Sequence, residues 1–155
     1  MAPPSDARGA LLAGVDVGGS ALKVGVLARD GSQRAEGSVE VHKGDAAPEL
    51  FARAARLVRE LAAGRAIAGV GVGLPGLLDR EARLVRHSPN LPWLENVRVA
   101  EELAAPLGLA TALIRIENDA KVAVLGEQWL GAARGARELL LLTLGTGIGG
   151  GLILG

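Results

Sequence analysis

Three polar or glycine-rich motifs, each set where an apolar run stops, constrain this chain more than any other feature. They are DVGGSALK at 16–23, END at 117–119 and TLGTGIGGG at 143–151. Each preceding run has the length and β-branched content of a strand, so acidic and glycine positions collect at strand ends, where open α/β sheets bind ligands. The pattern points to phosphate handling beside a carboxylate.

The 155 residues fall within the usual size of one domain, which buries about 70% of the surface its unfolded chain exposes. Phe51, Trp93 and Trp129 are the only aromatic residues, so the expected core is aliphatic, built from Leu, Val, Ala and Ile. Seventeen basic residues balance seventeen acidic ones, which argues against a nucleic-acid grip or a polybasic membrane patch and favours small molecules or protein surfaces as partners. With no cysteine there is neither a disulfide framework nor a thiolate metal site. The apolar run at 10–15 is short and cut by Asp16, so it reads as neither a secretory core nor a span, and a cytoplasmic protein is expected.

Along the chain, 1–9 reads as a disordered, Pro-rich tail. Strands are expected at 11–16, 22–29 and 34–41, opening an antiparallel meander with turns at Gly18-Gly19 and Asp30-Gly31. Asp45 is the expected cap of a helix that tolerates Pro48 in its first turn and stops at Gly64. A buried strand at 67–74 runs into Pro75-Gly76, and irregular chain with a short hairpin follows to Trp93. Asn96 is the expected cap of a second helix, closed near Ala105 by Pro106. A strand at 112–116, a helix at 120–130 and an apolar hairpin at 138–144 and 148–153 complete the order. This is an α/β chain with a mixed sheet covered on both faces, into which the last hairpin does not fit.

Gly18, Gly19 and Ser20 form a tight turn after Asp16, where N–H groups, a hydroxyl and Lys23 can meet an anion; taken alone, the turn reads rather as a plain hairpin without a ligand. Asp16 closes a buried strand, which costs desolvation unless something uses it, and water-mediated Mg²⁺ coordination is one such use. Asn118 and Asp119 are both good helix caps, yet only one residue can fill that position. An ionised Asp at a helix start also suits a general base acting on a hydroxyl. Gly145-Thr146-Gly147 reads as a hairpin turn offering N–H groups and a hydroxyl to a second phosphate. The apparent dinucleotide patterns at Gly145, Gly147 and Gly150 and at Gly71, Gly73 and Gly76 are rejected, since no credible helix follows. In the stiff segment 87–93, Asn90 carries donors and an acceptor suited to sugar hydroxyls, and His87 reads as structural.

Together DVGGSALK, LPG at 74–76, SPNLPW at 88–93, ENDA at 117–120 and LGTGIGGG at 144–151 resemble the ROK family of repressors, open-reading-frame proteins and kinases, which includes bacterial glucokinases. The resemblance implies an actin-like ATPase fold of two ribonuclease-H-like lobes around an ATP cleft. Residues 10–136 would form the N-terminal lobe and 137–155 the first hairpin of an incomplete second one. It further implies that Asp16, Gly18, Gly19, Ser20 and Lys23 face the phosphates, with Mg²⁺ at Asp16. Gly76, Asn90, Asn118 and Asp119 would face the sugar, Asp119 as the base, and Gly145, Thr146 and Gly147 would cradle phosphate.

The implied function is ATP-dependent phosphorylation of a hexose hydroxyl, in a full-length protein that is a homodimer. Glucose, N-acetylmannosamine, N-acetylglucosamine, fructose and allose all fit the family. The adenosine pocket, the zinc site and further sugar ligands of the family would lie in a second lobe, so the 155-residue chain alone is expected to be inactive and to self-associate through its final hairpin. Two other readings are a sugar-responsive regulator, for whose DNA-binding segment the roughly ten residues before the first strand leave no room, and a sugar-binding remnant without catalysis.

Overall fold

The computed structural model of the chain describes residues 9–144 and 148–155. Residues 1–8 of the tail expected at 1–9, and the Gly145-Thr146-Gly147 turn, lie outside the described residues.

Five strands form the main sheet, in the order β3-β2-β1-β4-β7. β1 (Leu11–Val17), β2 (Ala21–Leu27) and β3 (Gln33–Glu40) are the antiparallel meander, while β4 (Ile67–Leu74) and β7 (Ile114–Asn118) add parallel to β1. The carboxyl ends of β1, β4 and β7 therefore finish along one rim. A small hairpin of β5 (Leu77–Asp79) and β6 (Leu84–His87) interrupts the connection from β4 to β7, and β8 (Leu139–Leu144) pairs with β9 (Ile148–Ile153) in a separate sheet. The last hairpin thus stands outside the first layer, as its sequence position implied.

Alternation along the strands decides which face is buried. Leu11, Ala13, Val15 and Val17 of β1, Leu22, Val24 and Val26 of β2, and Val70, Val72 and Leu74 of β4 all point to one side. There they meet helix α1 (Ala47–Ala62), which contributes Leu50, Phe51, Ala54, Ala55 and Val58, and helix α2 (Val99–Leu107), which contributes Val99, Ala100 and Leu103. Each fully buried Leu, Val or Phe stabilises the fold by about 1.5–3 kcal/mol relative to exposure. The core is aliphatic apart from Phe51, whose ring lies 6.5 Å from the half-buried Trp93. The opposite face is covered only in part, by helix α3 (Asp119–Trp129), so the expected cover on both faces is incomplete. Side chains such as Asp16, Lys23 and Glu36 are exposed on that side, and a helix laid over them would have to desolvate their charge.

Four helix boundaries differ from the sequence reading. Asp45 does not cap α1: its carboxylate accepts the His42 N–H at 2.9 Å and pairs with Arg53 at 3.2 Å, leaving Ala46 at the cap without a side-chain bond. The α1 chain reverses one residue before Gly64, at Ala63, in the left-handed region. Asn96 does not cap α2 either. Its φ is +62° and its N–H bonds Val85 O at 2.8 Å, so it ties the helix entry to β6 and the helix starts three residues later. Pro106 sits inside the last turn of α2, close enough to the terminus that the helix closes normally at Gly108.

The glycines of β9 set how α3 meets the last hairpin. A Cβ on Gly151 would lie 2.6 Å from Val124 Cγ1 and 2.9 Å from Ala120 O, and one on Gly149 would lie 3.4 Å from Ala120 Cβ. Gly149 and Gly151 therefore serve close helix packing. Gly150 lies inside β9, paired with Leu142, and not in a strand-to-helix turn, as the rejected dinucleotide reading would need. Leu140, Leu142 and Leu152 of the hairpin are exposed.

Candidate functional site

Strand register lays the polar groups out in two rows across the open face. Ser38, Lys23, Asp16, Gly73 and Glu117 are successive cross-strand neighbours from β3 to β7. One step further from the rim, the row reads Glu36, Gly25, Gly14, Gly71 and Arg115. Three adjacent glycines thus leave a bare floor, and a Cβ on Gly14 or Gly71 would meet nothing within 4 Å. Above this floor lies a cleft of about 1090 Å³, lined among others by Asp16, Lys23, Glu117, Asp119 and Val122.

Asp16 and Asp119 therefore face one hollow. A Cβ on Gly73, between them, would lie 3.6 Å from Asp16 Oδ1 and 3.7 Å from Asp119 Cα. Burial pushes the Asp16 carboxyl above its ordinary range; the neighbouring Lys23 ammonium opposes this, and the Asp119 charge adds to it. Burial also acts upward on Glu117, but the Asn118 N–H bond together with Arg80 and Lys121 brings its carboxyl below the usual range. Arg80 Nη2 reaches Glu117 Oε2 at 2.7 Å, pinning the β5–β6 hairpin to the end of β7.

The turn after Asp16 is a true hairpin. The Gly18 N–H donates to Ala21 O at 3.0 Å, and a Cβ on Gly18 would lie 2.9 Å from that same oxygen, so glycine closes the turn and this N–H is committed to it. Gly19 and Ser20 are exposed at its tip, and Gly19 lies against Leu91, 3.7 Å from a built Cβ to Cδ2. The phosphate-facing and sugar-facing segments expected from the sequence are thus neighbours.

Both members of the Asn118-Asp119 pair have local partners. Asn118 is the cap of α3, its Oδ1 accepting the Lys121 N–H at 3.3 Å, while its Nδ2 donates to Gly76 O at 3.4 Å. Asp119 occupies the first turn, where its Oδ1 accepts the Ala120 N–H at 2.8 Å, and it lines the cleft. Gly76 has φ +105° and packs against the 87–88 backbone. Asn90 is exposed between the buried Ser88 and Leu91. His87 is structural, as expected, bonding Glu95 Oε1 through Nδ1 at 2.8 Å.

Sequence reasoning missed Arg80, Glu95, Ser38, Glu36 and Arg115. The polar alternation of β3, with Arg34, Glu36, Ser38 and Glu40, was the available signal that one sheet face stays open. Among the described residues no group of three or more His, Asp or Glu side chains is arranged to hold a metal ion, and no helix is long and apolar enough to cross a membrane.

A mixed sheet of this strand order packed against helices is an α/β lobe of the actin-like type, and this is the fold of the chain. The ROK family model matches residues 12–155, and the chain belongs to the ROK family. It is 41% identical over 142 residues to a glucokinase of Thermotoga maritima, covering 92% of this chain and 44% of that protein. Among solved structures, a ROK family glucokinase from Streptomyces griseus in complex with glucose and AMPPNP matches with a TM-score of 0.81 at 30% identity, over 94% of this chain and 45% of that one. A ROK hexokinase from Thermus thermophilus gives 0.79 at 33% identity, over 94% and 47%. The chain spans about half the length of the relatives it matches.

Proposed function

We propose that this chain forms the N-terminal lobe of an ATP-dependent hexose kinase. The observation that carries the reading is the shared cleft of Asp16 and Asp119 at the ends of β1 and β7, with Lys23 as the cross-strand neighbour of Asp16. Family membership supports it, as do a glucokinase relative and a structural neighbour holding glucose and a nucleotide analogue.

In this reading Asp119 accepts the proton of a sugar hydroxyl as that oxygen attacks the γ-phosphate. Asn118 and Asn90 hold neighbouring hydroxyls, and the Gly76 backbone shapes the floor beneath them. Lys23 and the Gly18-Gly19-Ser20 turn bear on the phosphates, where positioning and charge complementarity supply most of the rate. The residues fit a magnesium ion: one carboxylate, Asp16, lines an open cleft, which suits an ion that keeps its waters and takes phosphate oxygens. When bound, the ion would neutralise charge developing on those oxygens. Gly145, Thr146 and Gly147 keep the phosphate role given by the resemblance.

The same reading divides the chain into a lobe at 10–136 and the opening hairpin of a second lobe at 137–155. It places the protein in the cytoplasm as a homodimer and gives the 155-residue chain alone little kinase activity. The test is Asp119→Asn in the full-length protein. Turnover of glucose and ATP falls by about 10²- to 10⁴-fold, the range of general-base catalysis, with the melting temperature unchanged. Undiminished turnover would remove Asp119 as the base.

A further inference from the structure

The nine residues from His87 to Glu95 form a loop that closes on itself. Its interior is anchored by Leu91 and Leu94, both buried, and Trp93 packs near Phe51. At the neck, beside a backbone bridge between Val85 and Glu95, one side-chain atom makes two contacts: Glu95 Oε1 accepts the Ser88 N–H at 2.9 Å and meets His87 Nδ1 at 2.8 Å. Ser88 is fully buried, and its hydroxyl has no hydrogen-bond partner among the described residues. The Ser88 backbone is held on one side by its carbonyl, which accepts the Leu91 N–H at 3.0 Å, and on the other by its N–H bond to Glu95; without the latter a second buried polar group would go unsatisfied at the neck. The Ser88 N–H and the His87 ring also keep the Glu95 carboxyl below its usual range, so it is ionised at neutral pH.

Two site segments lean on this neck. A Cβ on Gly76 would lie 2.2 Å from His87 O and 3.1 Å from Ser88 Cα, so the Gly76 backbone rests directly on it. Asn118 Nδ2 in turn donates to Gly76 O. Asn90 projects from the loop two residues beyond Ser88.

We infer that Glu95 is a positioning residue for hexose binding, clamping the loop so that Asn90 and the Gly76 backbone are held in place before the sugar arrives. The inference rests on the sugar-facing role proposed for Asn90. Glu95 touches no reacting atom; it lowers the ordering cost that the sugar would otherwise meet on binding.

The test is steady-state kinetics of the full-length protein with glucose and ATP, comparing Glu95→Ala, Glu95→Gln and Asn90→Ala, together with amide exchange at Ser88. Glu95→Ala raises the KM for glucose about tenfold, the scale of losing a charged hydrogen-bond partner, with kcat and the KM for ATP within about twofold. Exchange at Ser88 accelerates in parallel. Glu95→Gln, whose amide oxygen accepts the same two bonds, restores both. His87→Ala, at an exposed ring, moves KM the same way by about threefold and decides the matter if Glu95→Ala does not fold. A raised KM in Asn90→Ala with no change in Glu95→Ala and His87→Ala overturns the clamp alone. An unchanged KM in Asn90→Ala overturns the sugar-facing role of Asn90 and the inference with it.

Discussion

Gly76 offers the sharpest test of how the rim of the cleft is built. In Gly76→Ala the new methyl would start 2.2 Å from His87 O and 3.1 Å from both Cα and Cβ of Ser88. The opposing atoms include backbone, so no flexible side chain can swing away, and the loop neck must retreat by roughly 1 Å to regain ordinary contact. The backbone at φ +105° adds strain of about 1–3 kcal/mol for a residue with a Cβ. Strain and displacement together give a loss of about 3 kcal/mol, toward the severe end for a point substitution. At about 2–4 °C per kcal/mol for a chain of this size, the melting temperature falls by roughly 6–12 °C. Urea unfolding followed by Trp93 and Trp129 fluorescence would show a lower midpoint at an unchanged slope. In the full-length protein, kcat/KM for glucose falls by about 10²-fold, the cost of a 1 Å misplacement at a reacting centre. A midpoint within about 0.5 kcal/mol of the parent would refute the packing argument.

Two further substitutions probe the carboxylate rim and the helix. Because burial raises the Asp16 carboxyl in the folded chain, the stability it contributes is fully present below its unfolded value of 3.8 and is lost as pH rises through the higher folded value. Asp16→Asn is therefore more stable than the parent at pH 7, with the gap closing as pH falls toward 4; melting curves at several pH values check this, and a less stable variant at pH 7 would contradict it. Gly151→Ala puts a methyl 2.6 Å from Val124 Cγ1 and costs about 1–3 kcal/mol of overpacking. Amide exchange in β8 and β9 should accelerate well before that of β1 and β4; equal change in both sheets would contradict the separate packing of the hairpin.

Most strands were legible to within a residue, but β2 stops at Leu27 rather than 29, and β7 runs Ile114–Asn118 rather than 112–116 because Thr111–Leu113 form a 3-10 turn ahead of it. β4 and β9 match their expected bounds, since a run such as IAGVGVGL buried between neighbours has one reading once turn residues mark its ends. Caps were less legible because Asp and Asn have competing uses. Asp45 found the His42 N–H, and Asn96 took a left-handed conformation that no local pattern signals. The site shows the same division. The residues of each motif could be read along the chain, but the pairing of Asp16 with Lys23 and Gly73 depends on register. The Arg80–Glu117 and His87–Glu95 pairs depend on how a small hairpin and a loop fold back.

α3 works as a lever shared by two bodies. Its first residue is Asp119, its flank carries the last hairpin through Gly149 and Gly151, and Leu130 just past its far end fills the space at Gly31 in the β2–β3 turn. Eleven helical residues span about 16 Å. A tilt of about 5° pivoting at Leu130 therefore carries Asp119 by roughly 1.4 Å, a distance large enough to decide whether a carboxylate reaches a hydroxyl. Anything that pushes on the exposed leucines of β8 and β9 is thereby coupled, through one rigid rod, to the aim of Asp119.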